Sequence, residues 1–168
     1  FEYGGKVIQV DPLTQLGDRK IDYSAFGKAD AIFITHAHHD HLCQEAIDTL
    51  SGEKTALYAN AESVSVIGRG KVLANGDSGE LSGGVSYTAV PAYNTTEGRE
   101  IFHPKGNGNG YVFDFDGFRV YVAGDTEPIG EMSGLGSIDL AFLPVNQPYT
   151  MTVSQCVEAA GVIRPKTL

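Results

Sequence analysis

Thr35-His36-Ala37-His38-His39-Asp40-His41 puts four of the chain's five histidines within six positions, at the end of the β-rich run ADAIFIT (29–35). A purification tag would sit at a terminus and would not be interrupted by Ala and Asp in mid-chain. The run before the motif is apolar enough to be buried on both faces. Imidazoles at alternate positions of an extended loop point to one side, so His36 and His38 suit one metal ion, while Asp40 and His41 turn toward a second. Mixed nitrogen and carboxylate donors favour Zn²⁺, and Mn²⁺ or Fe²⁺ also accept such a set.

Working outward, KVIQV (6–10) reads as an interior strand closed by Asp11-Pro12. Residues 43–50 carry Ala46, Ile47 and Leu50 at helical spacing and end near Gly52, which predicts a helix with a glycine stop. A strand at 55–59, a helix at 61–67 ending at Gly68 and a strand at 71–74 continue the β/α alternation. Beyond Asn75-Gly76-Asp77, strands are predicted at 85–90, 110–115 and 118–123, the last two joined by an Asp116-Gly117 hairpin turn. A strand at 138–143 and a helix from Val153 to about Gly161 follow. Thr152 caps that helix, and Val157, Ala160 and Ile163 form its apolar side. The clusters Gly83-Gly84 and 106–110 (GNGNG) read as turns and loops.

H-x-H-x-D-H after a strand resembles the metallo-β-lactamase superfamily, and His36, His38, Asp40 and His41 match that motif position by position. Asp11 resembles the family's early strand-end aspartate, a buried residue that orients the histidine loop. Asp125, in Tyr121-Val122-Ala123-Gly124-Asp125-Thr126, resembles its metal-bridging aspartate. The resemblance implies an α/β fold, a four-layer αββα sandwich with metals at one edge, as a single domain over residues 1–168. Ala92-Tyr93-Asn94 stands where several relatives have Ala-aromatic-His. The third histidine of the first metal is therefore expected to be His103, in Phe102-His103-Pro104-Lys105-Gly106, a loop similar to that of the ascorbate-6-phosphate lactonase subgroup. The family's last ligand, a histidine beyond the strand after the final helix, has no counterpart in this sequence. A second ion would then rest on Asp40, His41 and Asp125 alone, and bind weakly unless the chain continues.

The resemblance implies a metal-dependent hydrolase, with two Zn²⁺ ions, a metal-activated water, and Asp40 both ligating and orienting or deprotonating the nucleophile. A small-molecule ester, lactone or phosphoester leads as substrate. A nuclease or phosphodiesterase, a non-catalytic metal-binding module lacking the last ligand, and an iron redox protein are the alternatives. Lys105 and Arg99 flank the His103 loop and are candidates to meet an anionic substrate, with Tyr93 and Tyr149 as cleft-lining candidates.

Twelve basic against 21 acidic residues give a net charge of −9, which repels nucleic acid. No apolar run approaches membrane-span length and no leader precedes Phe1, so a soluble protein is expected, cytoplasmic unless a leader is missing. Cys43 and Cys156 lack metal or redox spacing and read as reduced, packed thiols. The missing initiator Met, an opening that reads as the second half of a hairpin, and a strand expected to start at Lys166 predict a fragment truncated at both ends.

Overall fold

A computed structural model describes residues 1–23 and 26–168. Its chain divides into two units, Phe1–Leu73 and Ala74–Leu168.

The first unit contains β1 (Glu2–Tyr3), β2 (Lys6–Val10), β3 (Gln15–Leu16), β4 (Arg19–Lys20), β5 (Ala31–Ile34), α1 (Gln44–Leu50), β6 (Ala56–Ala59), α2 (Ala61–Ile67) and β7 (Lys71–Val72). Five strands form a sheet in the order β1-β2-β5-β6-β7. All its pairs are parallel except β1 with β2. β5 is central, and all four of its residues are buried, as a run without polar side chains requires between two parallel neighbours. Ile32, Ile34, Ile47, Leu50, Leu57 and Ile67 pack into one core.

Register then places the motif. Val10 pairs with Phe33, so the parallel strands β2 and β5 end side by side, and the Asp11 N–H donates to the Phe33 carbonyl. Asp11 and the histidine segment thus leave the sheet at the carboxyl ends of adjacent parallel strands, where open α/β sheets carry their ligand sites.

Some local expectations shift. Residues 2–3 are the first strand of a hairpin with β2, turned by Gly4 and Gly5. α1 buries Ala46, Ile47 and Leu50 as the spacing requires. It stops at an extended Ser51, whose N–H and hydroxyl both donate to the Ile47 carbonyl, so Gly52 is not its cap. Gly68 does cap α2, at φ 79°.

The second unit contains β8 (Ser78–Leu81), β9 (Val85–Ala92), β10 (Gly108–Phe115), β11 (Phe118–Val122), a 3-10 turn (Gly130–Gly134), β12 (Leu140–Phe142) and α3 (Val153–Ile163). Its sheet runs β12-β11-β10-β9-β8. β8 to β11 form an antiparallel meander, and β12 joins β11 in parallel. Asp116 and Gly117, at φ 54° and 93°, make the predicted hairpin turn. The predicted loop at 106–110 is half strand: Gly108 and Gly110 lie in β10, where a Cβ would come within 2.8 Å of the Ala92 carbonyl and 2.9 Å of the Ala123 carbonyl. Glycine here permits close backbone approach as well as a turn.

Thr152 and Gln155 close a capping box on α3. The buried side of this helix is Cys156, Ala159 and Ile163, while Val157 is 66% exposed, so the predicted face is rotated by one residue. A parallel bridge from Thr167 to Leu140 begins where a further strand was expected. Both cysteines are free thiols.

Candidate functional site

The histidine loop is organised by one carboxylate. Asp11, left-handed at φ 46°, accepts from the Thr35 N–H (2.8 Å) and from the Thr35 hydroxyl (2.7 Å). It also lies 2.8 Å from His41 Nδ1. A carboxylate only accepts, so His41 Nδ1 carries its proton and Nε2 presents a lone pair. The Thr35 hydroxyl spends its hydrogen on Asp11, so its 2.9 Å contact with His36 Nδ1 runs from imidazole to hydroxyl. His36 is therefore also protonated at Nδ1 and bare at Nε2. Asp11 is partly exposed, its side chain 14% accessible, where the resemblance implied burial.

His36 Nε2 and His38 Nδ1 lie 3.0 Å apart. Two nitrogens bound to one tetrahedral zinc at about 2.0–2.1 Å stand roughly 3.3 Å apart, so the pair fits a shared cation with little adjustment. The His38 carbonyl accepts from the His41 and Leu42 N–H groups, and this turn brings the His41 ring within 4.2 Å of the His36 ring. His36 is buried, whereas His38, His39 and Asp40 are exposed.

In the second unit, His103 and Asp125 come together from separate segments. Asp125 follows β11 through Gly124, at φ 63°. His103 is 6% exposed, with Nε2 3.2 Å from Asp125 Oδ2 and Nδ1 3.2 Å from the Tyr149 carbonyl. The carbonyl requires a proton on Nδ1, which turns the Nε2 lone pair toward a carboxylate oxygen. Two electron-rich atoms facing each other at this distance suit a cation that both would ligate.

Behind them lies Glu127, its side chain fully buried. Burial by itself would raise its pKa. Hydrogen bonds from the Thr96 and Thr95 N–H groups, helped by the Thr96 side chain and Arg99, bring it down to about 2. Those contacts are 2.6 Å from Thr96 N, 2.8 Å from Thr95 N and 3.0 Å from Arg99 Nη1. Arg99 Nη2 also reaches Gln147 Oε1 at 2.7 Å. Arg99 is thus an internal tie, which removes the sequence argument for it as a substrate-facing cation. Lys105 likewise engages Glu131 (3.0 Å) and the Tyr93 hydroxyl (3.1 Å). Tyr93 is buried, and Tyr149 is exposed with its ring against Phe102.

Thr35 and Glu127 are functional candidates to which the sequence assigned no role, and Asn94 stood out there only as the residue in place of a histidine. Thr35 could have been found from its place beside the motif; Glu127 carried no signal beyond its nearness to Asp125.

Comparison with known proteins identifies the family. The model of the beta-lactamase superfamily domain matches residues 1–168. A UPF0173 metal-dependent hydrolase of Pyrococcus abyssi is 31% identical over 173 residues, covering 98% of this chain and 76% of the relative. A crystal structure from Parabacteroides distasonis, assigned as a metal-dependent hydrolase, superposes with a TM-score of 0.93 at 52% identity, covering 98% of this chain and 73% of that one. Igni18, a metallo hydrolase of Ignicoccus hospitalis, gives a TM-score of 0.78 at 28% identity, again covering 98% and 73%.

Proposed function

The chain belongs to the beta-lactamase superfamily and is a metal-dependent hydrolase, and on that premise we propose that it cleaves a small-molecule ester, lactone or phosphoester at a zinc centre. The ligands in this reading are His36, His38, Asp40, His41, His103 and Asp125, with two ions as the full complement. The observation that carries it is the pair His36 Nε2 and His38 Nδ1, 3.0 Å apart, with the His36 tautomer set by Thr35 and Asp11. One family match runs through both units, which supports reading residues 1–168 as one domain.

A bound divalent ion supplies Lewis acidity and lowers the pKa of water toward neutrality, so that hydroxide is available as nucleophile. The chain's own residues have three tasks. Asp11 and Thr35 keep His36 and His41 bare at Nε2, and His103 and Asp125 offer donors of both types. Asp40, exposed at the turn, takes or orients the proton of the attacking water.

Within the subgroup resemblance, lactone and phosphoester substrates are favoured. The net charge of −9 argues against nucleic acid as substrate. No helix among the described residues is long and apolar enough to cross a membrane. The test is hydrolysis of a panel of lactones, phosphomonoesters and phosphodiesters by protein supplied with zinc or manganese. Turnover that a chelator abolishes and metal restores is expected, and a metal-loaded protein inert on the whole panel would refute the reading.

A further inference from the structure

We infer that Asn94 is a positioning residue that fixes the tautomer and placement of the His103 ring. The inference rests on His103 being a metal ligand only for its consequence in affinity; its geometry stands without that reading.

Asn94 holds both ends of the problem. Its N–H donates to the His103 carbonyl at 2.9 Å, which fixes the backbone that carries the ring. Its side-chain Nδ2 donates at 2.7 Å to the Tyr149 carbonyl, the same oxygen that accepts from His103 Nδ1 at 3.2 Å. A carbonyl has two lone pairs, so both donors are served, and the shorter bond from Asn94 aims the oxygen at which the imidazole must point. A second bond, Nδ2 to the Arg99 carbonyl at 3.1 Å, fixes the amide's own orientation. The site is closed: Asn94 is 2% exposed.

Its Oδ1 is buried and makes no hydrogen bond among the described residues. An unpaired buried acceptor is costly, so the side chain is retained here for its donors. The Tyr149 segment is held independently. Arg99 spans Glu127 at 3.0 Å and Gln147 at 2.7 Å, and Gln147 Nε2 donates to the Thr150 carbonyl at 2.6 Å. The acceptor is thus fixed before the histidine meets it. An Asn stands where the family resemblance led to an expected histidine, and here it orients His103, nine residues further along the chain.

Nitrogen-15 NMR of His-labelled protein, as isolated and after zinc addition, tests this, with His103 assigned from a His103→Gln variant. Wild type is expected to show His103 protonated at Nδ1 and not at Nε2; the opposite tautomer overturns the inference, whether or not any variant folds. In Asn94→Ala, His103 should populate both tautomers, and zinc affinity by chelator competition should fall about 10–100-fold, the usual range for outer partners of a metal-bound histidine. Glu97→Ala, an exposed change in the same loop, should alter neither. If Asn94→Ala lowers only the melting temperature, leaving tautomer and zinc affinity as in wild type, Asn94 is merely structural and the inference fails. A His103 locked at Nδ1 that does not respond to zinc would count against His103 as a ligand and in favour of the lock.

Discussion

Around His36 and His41 the organising acceptor is a carboxylate, Asp11, reached through a neighbouring hydroxyl and directly. Around His103 it is a backbone carbonyl, Tyr149, shared with an amide and backed by the ion pair of buried Glu127 with half-buried Arg99. Both arrangements leave Nε2 bare, by different physics. The first is compact: one anion orders two rings, so a single change disturbs two ligands. The second is distributed over three segments, so each link orders one ring, while the buried charge that holds the segments is a matter of stability.

The largest effect should come from Asp40, which neither arrangement constrains in the same way. Asp40→Asn should reduce turnover by about 10²–10⁴-fold, the range for loss of a general base, with the circular-dichroism spectrum unchanged. An active, metal-loaded variant would remove Asp40 from the chemistry.

Glu127→Gln tests the distributed half. It leaves Arg99, whose side chain is 24% exposed, facing a neutral amide, and it weakens the acceptor that the Thr95 and Thr96 N–H groups share, a loss of about 1–3 kcal/mol, to be read from urea unfolding. A change below about 1 kcal/mol would mean that the pair behaves as a surface bridge.

Asp11→Asn tests the compact half. Zinc affinity should drop about 10–100-fold and more than in Asn94→Ala, because Asp11 orders two rings, His41 directly and His36 through Thr35, whereas Asn94 orders one. Thr35→Val should reproduce part of this loss and Thr35→Ser very little, since serine keeps the hydroxyl. Equal losses for Asp11→Asn and Asn94→Ala would erase the contrast.

The smallest effect lies at the other end of β5. Lys6 Nζ, 2.9 Å from Asp30 Oδ1, and the Val7 N–H, 2.9 Å from Oδ2, hold the Asp30 carboxyl below its ordinary value of 3.8. A depressed folded pKa stabilises the fold above that ordinary value, and the contribution is lost as pH falls through the lower one. The pair is partly exposed, so the gain is under about 1 kcal/mol. Lys6→Met should therefore narrow the stability difference between pH 6 and pH 2, with zinc affinity at neutral pH unaffected.

This contrast also explains what could be read from the sequence. The compact cluster is nearly contiguous, and β5, Asp11 and the motif follow from an apolar run, a strand end and a histidine spacing. α2 was legible to its glycine cap, because Gly68 supplies the left-handed residue that the helix end demands. Gly52 misled, since Ser51 ends α1 through its own bonds to Ile47. On α3 a valine face and a Cys-Ala face differ by one residue, and packing against the second unit's core selected the smaller side chains. β3, β4 and β8 are short and mostly polar, with no periodicity to betray them. Glu127, Asn94 and the Tyr149 carbonyl belong to the distributed cluster. Their roles arise from tertiary contacts between residues more than 30 positions apart, which no local pattern encodes.

Elemental analysis of protein prepared with zinc supplied, beside a His36→Ala/His38→Ala variant, decides whether the histidine loop holds metal. Bound zinc in the wild type, and its loss in a variant that still folds, is the predicted result. A wild type without metal, or a variant that keeps the full complement, would rule out His36 and His38 as metal ligands.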